Sequence, residues 1–122
     1  MIFDTDFIID LMNNKKEAVE KLDELTKKDE THTTTSLSIF ELFTGLEISK
    51  KPLEERSKIS SFLKGKLIIP FDIDSAEKSG KINGELTSQG NSIDIIDTMI
   101  AGIVLAKKEK LLTRNIKHLS RI

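Results

Sequence analysis

Four side chains stand where the hydrophobic pattern makes a polar group costly or steers it to a shared edge: Asp4, Glu41, Asp97 and Asn115. Asp97 interrupts IIDTMIAGIVL (95–105), which is apolar on nearly every helical face. A helix apolar all round is buried, and a carboxylate on it must be paired, protonated or bound to a cation. Asp4 directly follows the apolar run MIF (1–3), where a strand gives way to a helix. Ligands of open parallel sheets gather at such carboxyl ends. Glu41 shares a helical row with Leu37 and Gly45, and Asn115 follows the apolar LLT (111–113) together with Arg114. Carboxylates drawn together raise one another's pKa, and a cation relieves them. Oxygen donors without thiolate or imidazole suit Mg²⁺ or Mn²⁺, and such ions suit phosphodiester hydrolysis. Each acid also has a plainer reading. Asp4 or Thr5 can cap the first helix, with Asp6 favoured by the macrodipole, and Ser38-x-x-Glu41 has the form of a capping box. Spacing leaves both readings open.

The elements that must position these residues follow from periodicity. Bulky residues 1–3 and the β-branched run 31–35 read as strands, as do LIIP (67–70), stopped by Pro70, and LLT (111–113). Between them lie helical patterns. The first carries Phe7, Ile8, Leu11 and Met12. The second, over 15–28, turns Ala18, Val19, Leu22 and Leu25 inward. The third, over 36–46, turns Leu37, Phe40, Phe43 and Leu46 inward. Gly45 inside that third helix marks close approach of a neighbour. Pro52 opens a fourth helix, which runs to about Lys64 and is ended by Gly65. A fifth, over about 75–88, is capped by Asp72 or Asp74, faces Ala76, Ile82 and Leu86 inward and is closed by Gly90. Ser92 is the expected cap of the sixth, and 116–122 suffices for one further helical turn. The order βα(α)βααβααβ with short connections predicts an α/β domain with a mostly parallel sheet of about four strands.

Composition narrows the function. The 122 residues form one domain's worth of chain, with 38 % hydrophobic and 32 % charged residues and a net charge of −1. No global basic field draws in nucleic acid, so a polyanion site must be local; Lys107, Lys108, Lys110 and Lys117 are the nearest cations, or simply a solvated helix end. The absence of cysteine excludes disulfides and thiolate metal sites. His32 reads as an ordinary strand residue. No apolar run reaches a membrane span and the N-terminus lacks a signal pattern, so a cytoplasmic protein is expected.

Four stretches together resemble the PIN-domain ribonucleases, and within them the VapC-type toxins of prokaryotic toxin–antitoxin pairs. IFDTDFII (2–9) is similar to the family's opening strand and first acid. SIFELFTG (38–45) resembles its Ser-x-x-Glu-x-x-x-Gly helix, DTMIAG (97–102) its third acidic motif, and LTRN (112–115) its Thr-(Arg/x)-(Asp/Asn) turn. Order and spacing are kept over almost the whole chain. The resemblance implies a three-layer α/β/α fold over residues 1–122 and a Mg²⁺- or Mn²⁺-dependent endoribonuclease. Asp4, Glu41 and Asp97 would be its metal ligands, Asn115 a neutral ligand or water-positioning group, and Thr113 and Arg114 the phosphate contacts. Asp94 would join them or serve the macrodipole, and Asp6 would stand behind them. The implied partners are RNA, a small antitoxin protein and a second copy of the chain. Asn115 stands where many members carry aspartate and His118 where a further acid often follows, so one tightly held ion is expected. The chain reaches Ile122 before the last edge strand that the resemblance implies, so the expectation is a sheet edge that either exposes unpaired backbone or is completed by a partner.

Two other classes compete. A phospho-signalling receiver needs an aspartate ending a middle strand, and LIIP has none. A PIN-fold RNA- or protein-binding module with weakened catalysis is compatible with Asn115.

Overall fold

The computed structural model describes residues 1–113. Arg114, Asn115, Lys117 and His118, the expected turn at 116–122 and any last edge strand lie outside the described residues. Four strands, β1 (Ile2–Phe3), β2 (Thr33–Thr35), β3 (Leu67–Ile69) and β4 (Leu111–Leu112), form one sheet in the order β3-β2-β1-β4. Every pairing is parallel, with Ile2 opposite both Thr33 and Leu111, and Thr35 opposite Ile69. Six helices connect them: α1 (Thr5–Met12), α2 (Lys16–Lys27), α3 (Ser36–Glu47), α4 (Pro52–Leu63), α5 (Ile73–Ser88) and α6 (Ile95–Lys107). The architecture is therefore the predicted α/β one. The second strand is shorter than expected, beginning at Thr33, although the His32 carbonyl still accepts the Leu67 N–H at 3.3 Å.

Successive strand residues face opposite sides of a sheet. Ile2 and Phe3 are both fully buried, so helices cover both faces. Phe3 belongs to the larger core cluster with Phe7, Ile8, Leu25, Leu42, Leu46 and Phe62, drawn from α1 to α4. Its ring meets Phe7 edge-on at 5.0 Å. A smaller cluster, Ile82, Leu86 and Ala101, joins α5 to α6. The chain leaves β1 toward β2 on one side and reaches β4 on the other, so a topological switch point lies between β1 and β4.

Several local expectations are corrected by the packing. In α3 the buried row is Ser38, Leu42 and Leu46, whereas Phe40 and Phe43 are 59 % and 41 % exposed. The i, i+3 spacing of the aromatics described a real stripe but the wrong face. Nothing stands within 4 Å of where a Gly45 side chain would begin, so no close approach explains that glycine. In α5 the inward row is Ser75, Ser79, Ile82 and Leu86, and Ala76 faces solvent. The central turns of α6 are buried, but Ile95 and Leu105 at its ends are exposed. The close approach falls at Gly102 instead. A Cβ there would lie 2.6 Å from the Ser75 carbonyl oxygen and 2.8 Å from Ser79 Cβ, so α5 and α6 cross at van der Waals contact of their backbones. No helix among the described residues is long and apolar enough to cross a membrane.

Candidate active site

The site is assembled by helix starts. β1 ends at Phe3, and Asp4 takes extended backbone angles as N-cap of α1. Its Oδ1 accepts the Thr5 N–H at 2.9 Å. The Asp4 N–H donates to the Leu112 carbonyl at 2.9 Å, which locks this turn to the end of β4. Thr113, the next residue on β4's side of the switch point, donates its hydroxyl to Asp4 Oδ2 at 2.6 Å. Asp4 is only 5 % exposed, so both its oxygens are held inside the protein. The capping reading and the site reading of Asp4 are thus both correct, since one carboxylate does each job with a different oxygen.

Glu41 arrives from α3, which begins at the end of β2. The cap of α3 is Thr35, whose Oγ1 accepts the Ser38 N–H at 3.1 Å. Ser38 is therefore a residue of the first turn, and the expected capping box with Glu41 does not form. Glu41 instead turns toward α1, where its Oε1 lies 2.5 Å from Thr5 Oγ1. The same Thr5 oxygen is 2.9 Å from Ser38 Oγ, and Ser38 Oγ is 3.5 Å from Thr35 Oγ1. From the sequence Thr5 reads as a cap, and Ser38 as half of a capping box and as the serine of the Ser-x-x-Glu motif. The signal that was available is their placement: Thr5 directly follows the first acid, and Ser38 precedes the second by one helical turn.

Asp97 sits in the first turn of α6, whose cap is Asp94 and not Ser92; Asp94 Oδ1 accepts the Ile96 N–H at 3.0 Å. Burial pushes the Glu41 carboxyl above the ordinary carboxylate range; the Thr5 hydrogen bond opposes this, and the charges of Asp4, Asp97 and Asp94 add to it. Burial likewise raises Asp4, against the hydrogen bonds from Thr113 and Thr5, and Asp97 and Asp6 reinforce the rise. The three expected acids thus feel one another's charge. Among the described residues, however, no three His, Cys, Asp or Glu side chains converge closely enough to enclose an ion as they stand. The donor set fits a hard cation in kind: the carboxylate oxygens of Asp4 and Glu41 are desolvated and lie in the field of neighbouring acids.

The expected local cations behave differently. Lys107 Nζ pairs with Asp72 Oδ2 at 2.8 Å, joining the end of α6 to the start of α5. Lys108 caps α6 in the left-handed region, at φ 54°, and Lys108 and Lys110 are exposed. His32 stacks on Phe3 at 5.4 Å, and burial lowers its pKa with help from the charges of Lys66 and the N-terminal amine, as suits a neutral structural ring.

Comparison with known proteins extends the picture beyond geometry. The PIN domain model matches residues 1–122. Ribonuclease VapC2 of Rickettsia felis is 31 % identical over 121 residues, covering 99 % of this chain and 90 % of that protein. The tRNA(fMet)-specific endonuclease VapC of Shigella flexneri is 26 % identical over 121 residues with the same coverage. Among solved structures, VapBC2 from Rickettsia felis, bound to a DNA fragment from its promoter, superposes with a TM-score of 0.91 at 30 % identity. That match covers 100 % of this chain and 93 % of the other.

Proposed function

The chain belongs to the PIN domain family, and from that premise we propose that it is a metal-dependent endoribonuclease, the toxin of a VapBC-type toxin–antitoxin pair. The observation that supports the reading is that Thr5, at the start of α1, joins Asp4 through its backbone N–H and Glu41 through its hydroxyl, two carboxyls that burial raises with a smaller contribution from neighbouring acids including Asp97.

Asp4, Glu41 and Asp97 would hold Mg²⁺ or Mn²⁺, with Asn115 as a neutral ligand or a group that positions water. A bound divalent ion would supply Lewis-acid activation of water and charge stabilisation at the phosphate. The protein's own contribution is preorganisation. The Leu112 carbonyl and the Thr5 N–H fix the backbone and carboxylate of Asp4. Thr35 fixes the start of α3, so that Glu41 faces α1 one and a half turns later. Thr113 follows β4 and holds Asp4, and it is proposed to contact the RNA backbone together with its sequence neighbour Arg114. The sequence preference of the enzyme is not written in these residues, because RNA is read chiefly through shape and unstacked bases.

The antitoxin would cover the cleft of about 450 Å³ whose apolar lining is Leu11, Met12, Val19, Leu22 and Phe62 and whose polar lining is Asn14, Ser57, Ser61, Lys58 and Lys66. The exposed Phe40 and Phe43 on α3 are the surface proposed for a homodimer.

The test is cleavage of RNA, beginning with tRNA(fMet) as named for the Shigella relative, with and without Mn²⁺. Metal-dependent cleavage abolished by Asp97→Asn supports the reading; a protein that neither cleaves RNA nor binds Mn²⁺ overturns it. That no three His, Cys, Asp or Glu side chains converge among the described residues favours a second reading, a PIN-fold binding module with weakened catalysis. That reading predicts antitoxin binding with no metal-dependent cleavage.

A further inference from the structure

Thr5 carries one hydroxyl proton and has two oxygen neighbours, Glu41 Oε1 at 2.5 Å and Ser38 Oγ at 2.9 Å. An ionised carboxylate accepts only, whereas a serine hydroxyl both donates and accepts. With Glu41 ionised, the Thr5 proton goes to Glu41, and the Ser38 hydroxyl donates to the Thr5 oxygen. Ser38 is fully buried in the first turn of α3. A serine there ordinarily turns to the helix backbone. Here its side-chain oxygen lies against Thr5 and, at 3.5 Å, Thr35. The hydroxyls thus form a buried row that ends on the carboxylate.

We propose that Thr5 and Ser38 are positioning residues for the second acid: Ser38 orients the Thr5 hydroxyl, and Thr5 holds one oxygen of Glu41 so that the other is presented at the site. The proposal rests on the nuclease reading above. The backbone N–H of Thr5 binds Asp4 while its side chain binds Glu41, so a single residue couples the acids of two elements. Thr113 does for Asp4 what Thr5 does for Glu41, with a hydroxyl at 2.6 Å. Each acid therefore receives one oriented hydroxyl, a neutral donor that leaves the carboxylate's charge in place. A lysine or arginine in the same position would neutralise that charge.

The experiment compares Thr5→Val, which keeps shape and loses the hydroxyl, with Thr5→Ser, which keeps the hydroxyl, and with Ser38→Ala. Mn²⁺ affinity is measured by calorimetry, folding by thermal melting in EDTA, and kcat and KM on RNA. Groups that orient a metal ligand are worth roughly 10–100-fold in affinity or activity. Thr5→Val is expected to lose that much in Mn²⁺ affinity and in kcat, with KM for RNA unchanged, because Thr5 lies behind Glu41. Thr5→Ser is expected to restore both, and Ser38→Ala to fall between. A Thr5→Val protein with wild-type Mn²⁺ affinity overturns the proposal, as does a Thr5→Ser protein as impaired as Thr5→Val. If Thr5→Val does not fold, wild-type Mn²⁺ affinity in Ser38→Ala overturns it. Wild-type protein that binds no Mn²⁺ overturns the nuclease reading and the positioning role with it. Wild-type protein that binds Mn²⁺ beside an unaffected Thr5→Val overturns the positioning role alone.

Discussion

Asp4 and Asp72 occupy the same position in their helices and live in opposite surroundings. Each is the N-cap of a helix that follows a strand, and each accepts a backbone N–H at 2.9 Å. Asp72 also meets the Lys107 ammonium at 2.8 Å on the surface, and that contact holds its carboxyl well below the ordinary range. Asp4 is buried and faces the charges of Asp97 and Asp6, so its carboxyl is held above that range even though the Thr113 hydroxyl and the Thr5 N–H pull it down. The first arrangement closes a helix end and ties α5 to α6. The second stores unfavourable charge where a hard cation would relieve it. Helix capping therefore says little about function, and what surrounds the second oxygen says a good deal.

The strongest way to break this comparison is to neutralise each acid in turn. Asp4→Asn, Glu41→Gln and Asp97→Asn are each expected to lower RNA cleavage by roughly a hundredfold or more, on the scale of losing a transition-state charge stabiliser. Their melting temperatures in EDTA should stay level or rise, because one of several repelling charges is gone and asparagine still caps a helix. Asp72→Asn should leave cleavage at the wild-type rate. Equal loss of cleavage at Asp72 and Asp4 would erase the distinction.

Gly102→Ala tests the region around Asp72 as packing. The new methyl would meet the Ser75 carbonyl and Ser79, so α5 must shift from α6. Overpacking of this kind costs about 1–3 kcal/mol, to be read from urea midpoints. An unchanged midpoint would show that the crossing is looser than the contact distances require.

Acidity separates the two carboxylates by sign. Raised pKa values mean that folded Asp4 and Glu41 keep protons which the unfolded chain has already released. Their contribution is therefore most favourable below the ordinary carboxylate pKa, and it is lost as pH rises through the raised folded values. Asp72 runs the other way: its contribution is present above the ordinary carboxylate pKa and is lost as pH falls through that value toward the lowered one. Urea midpoints in EDTA are expected to rise as pH is lowered from 7 toward 5, and Glu41→Gln should flatten the slope. A slope unchanged in both Glu41→Gln and Asp4→Asn would contradict the raised values.

The smallest effect is expected at Lys107→Gln. The pair with Asp72 is exposed, and such pairs are weak and screened by salt. A slight fall in melting temperature at low salt, vanishing at high salt, is the expected reading, with cleavage unchanged.

The sequence by itself determined the alternation of strands and helices, because that depends on local periodicity and on punctuation such as Pro52, Gly65 and Gly90. It also singled out Asp97 as an acid interrupting an apolar helix, and offered Asp4 and Glu41 as either caps or candidate site residues. Only the tertiary structure decided which face of α3 is inside, since Leu37, Phe40 and Phe43 are as apolar as Leu42 and Leu46, and burial is settled by what α3 packs against. It also decided that Thr35 caps α3, which leaves Ser38 free to serve Thr5. The same holds for the meaning of the two glycines. Gly45 and Gly102 look alike within their helices, but only Gly102 has another backbone against it. A hydrogen-bonded row such as Ser38, Thr5 and Glu41 joins residues 33 and 36 positions apart. No local pattern encodes such a row, because it exists only once parallel β1 and β2 set the starts of α1 and α3 side by side.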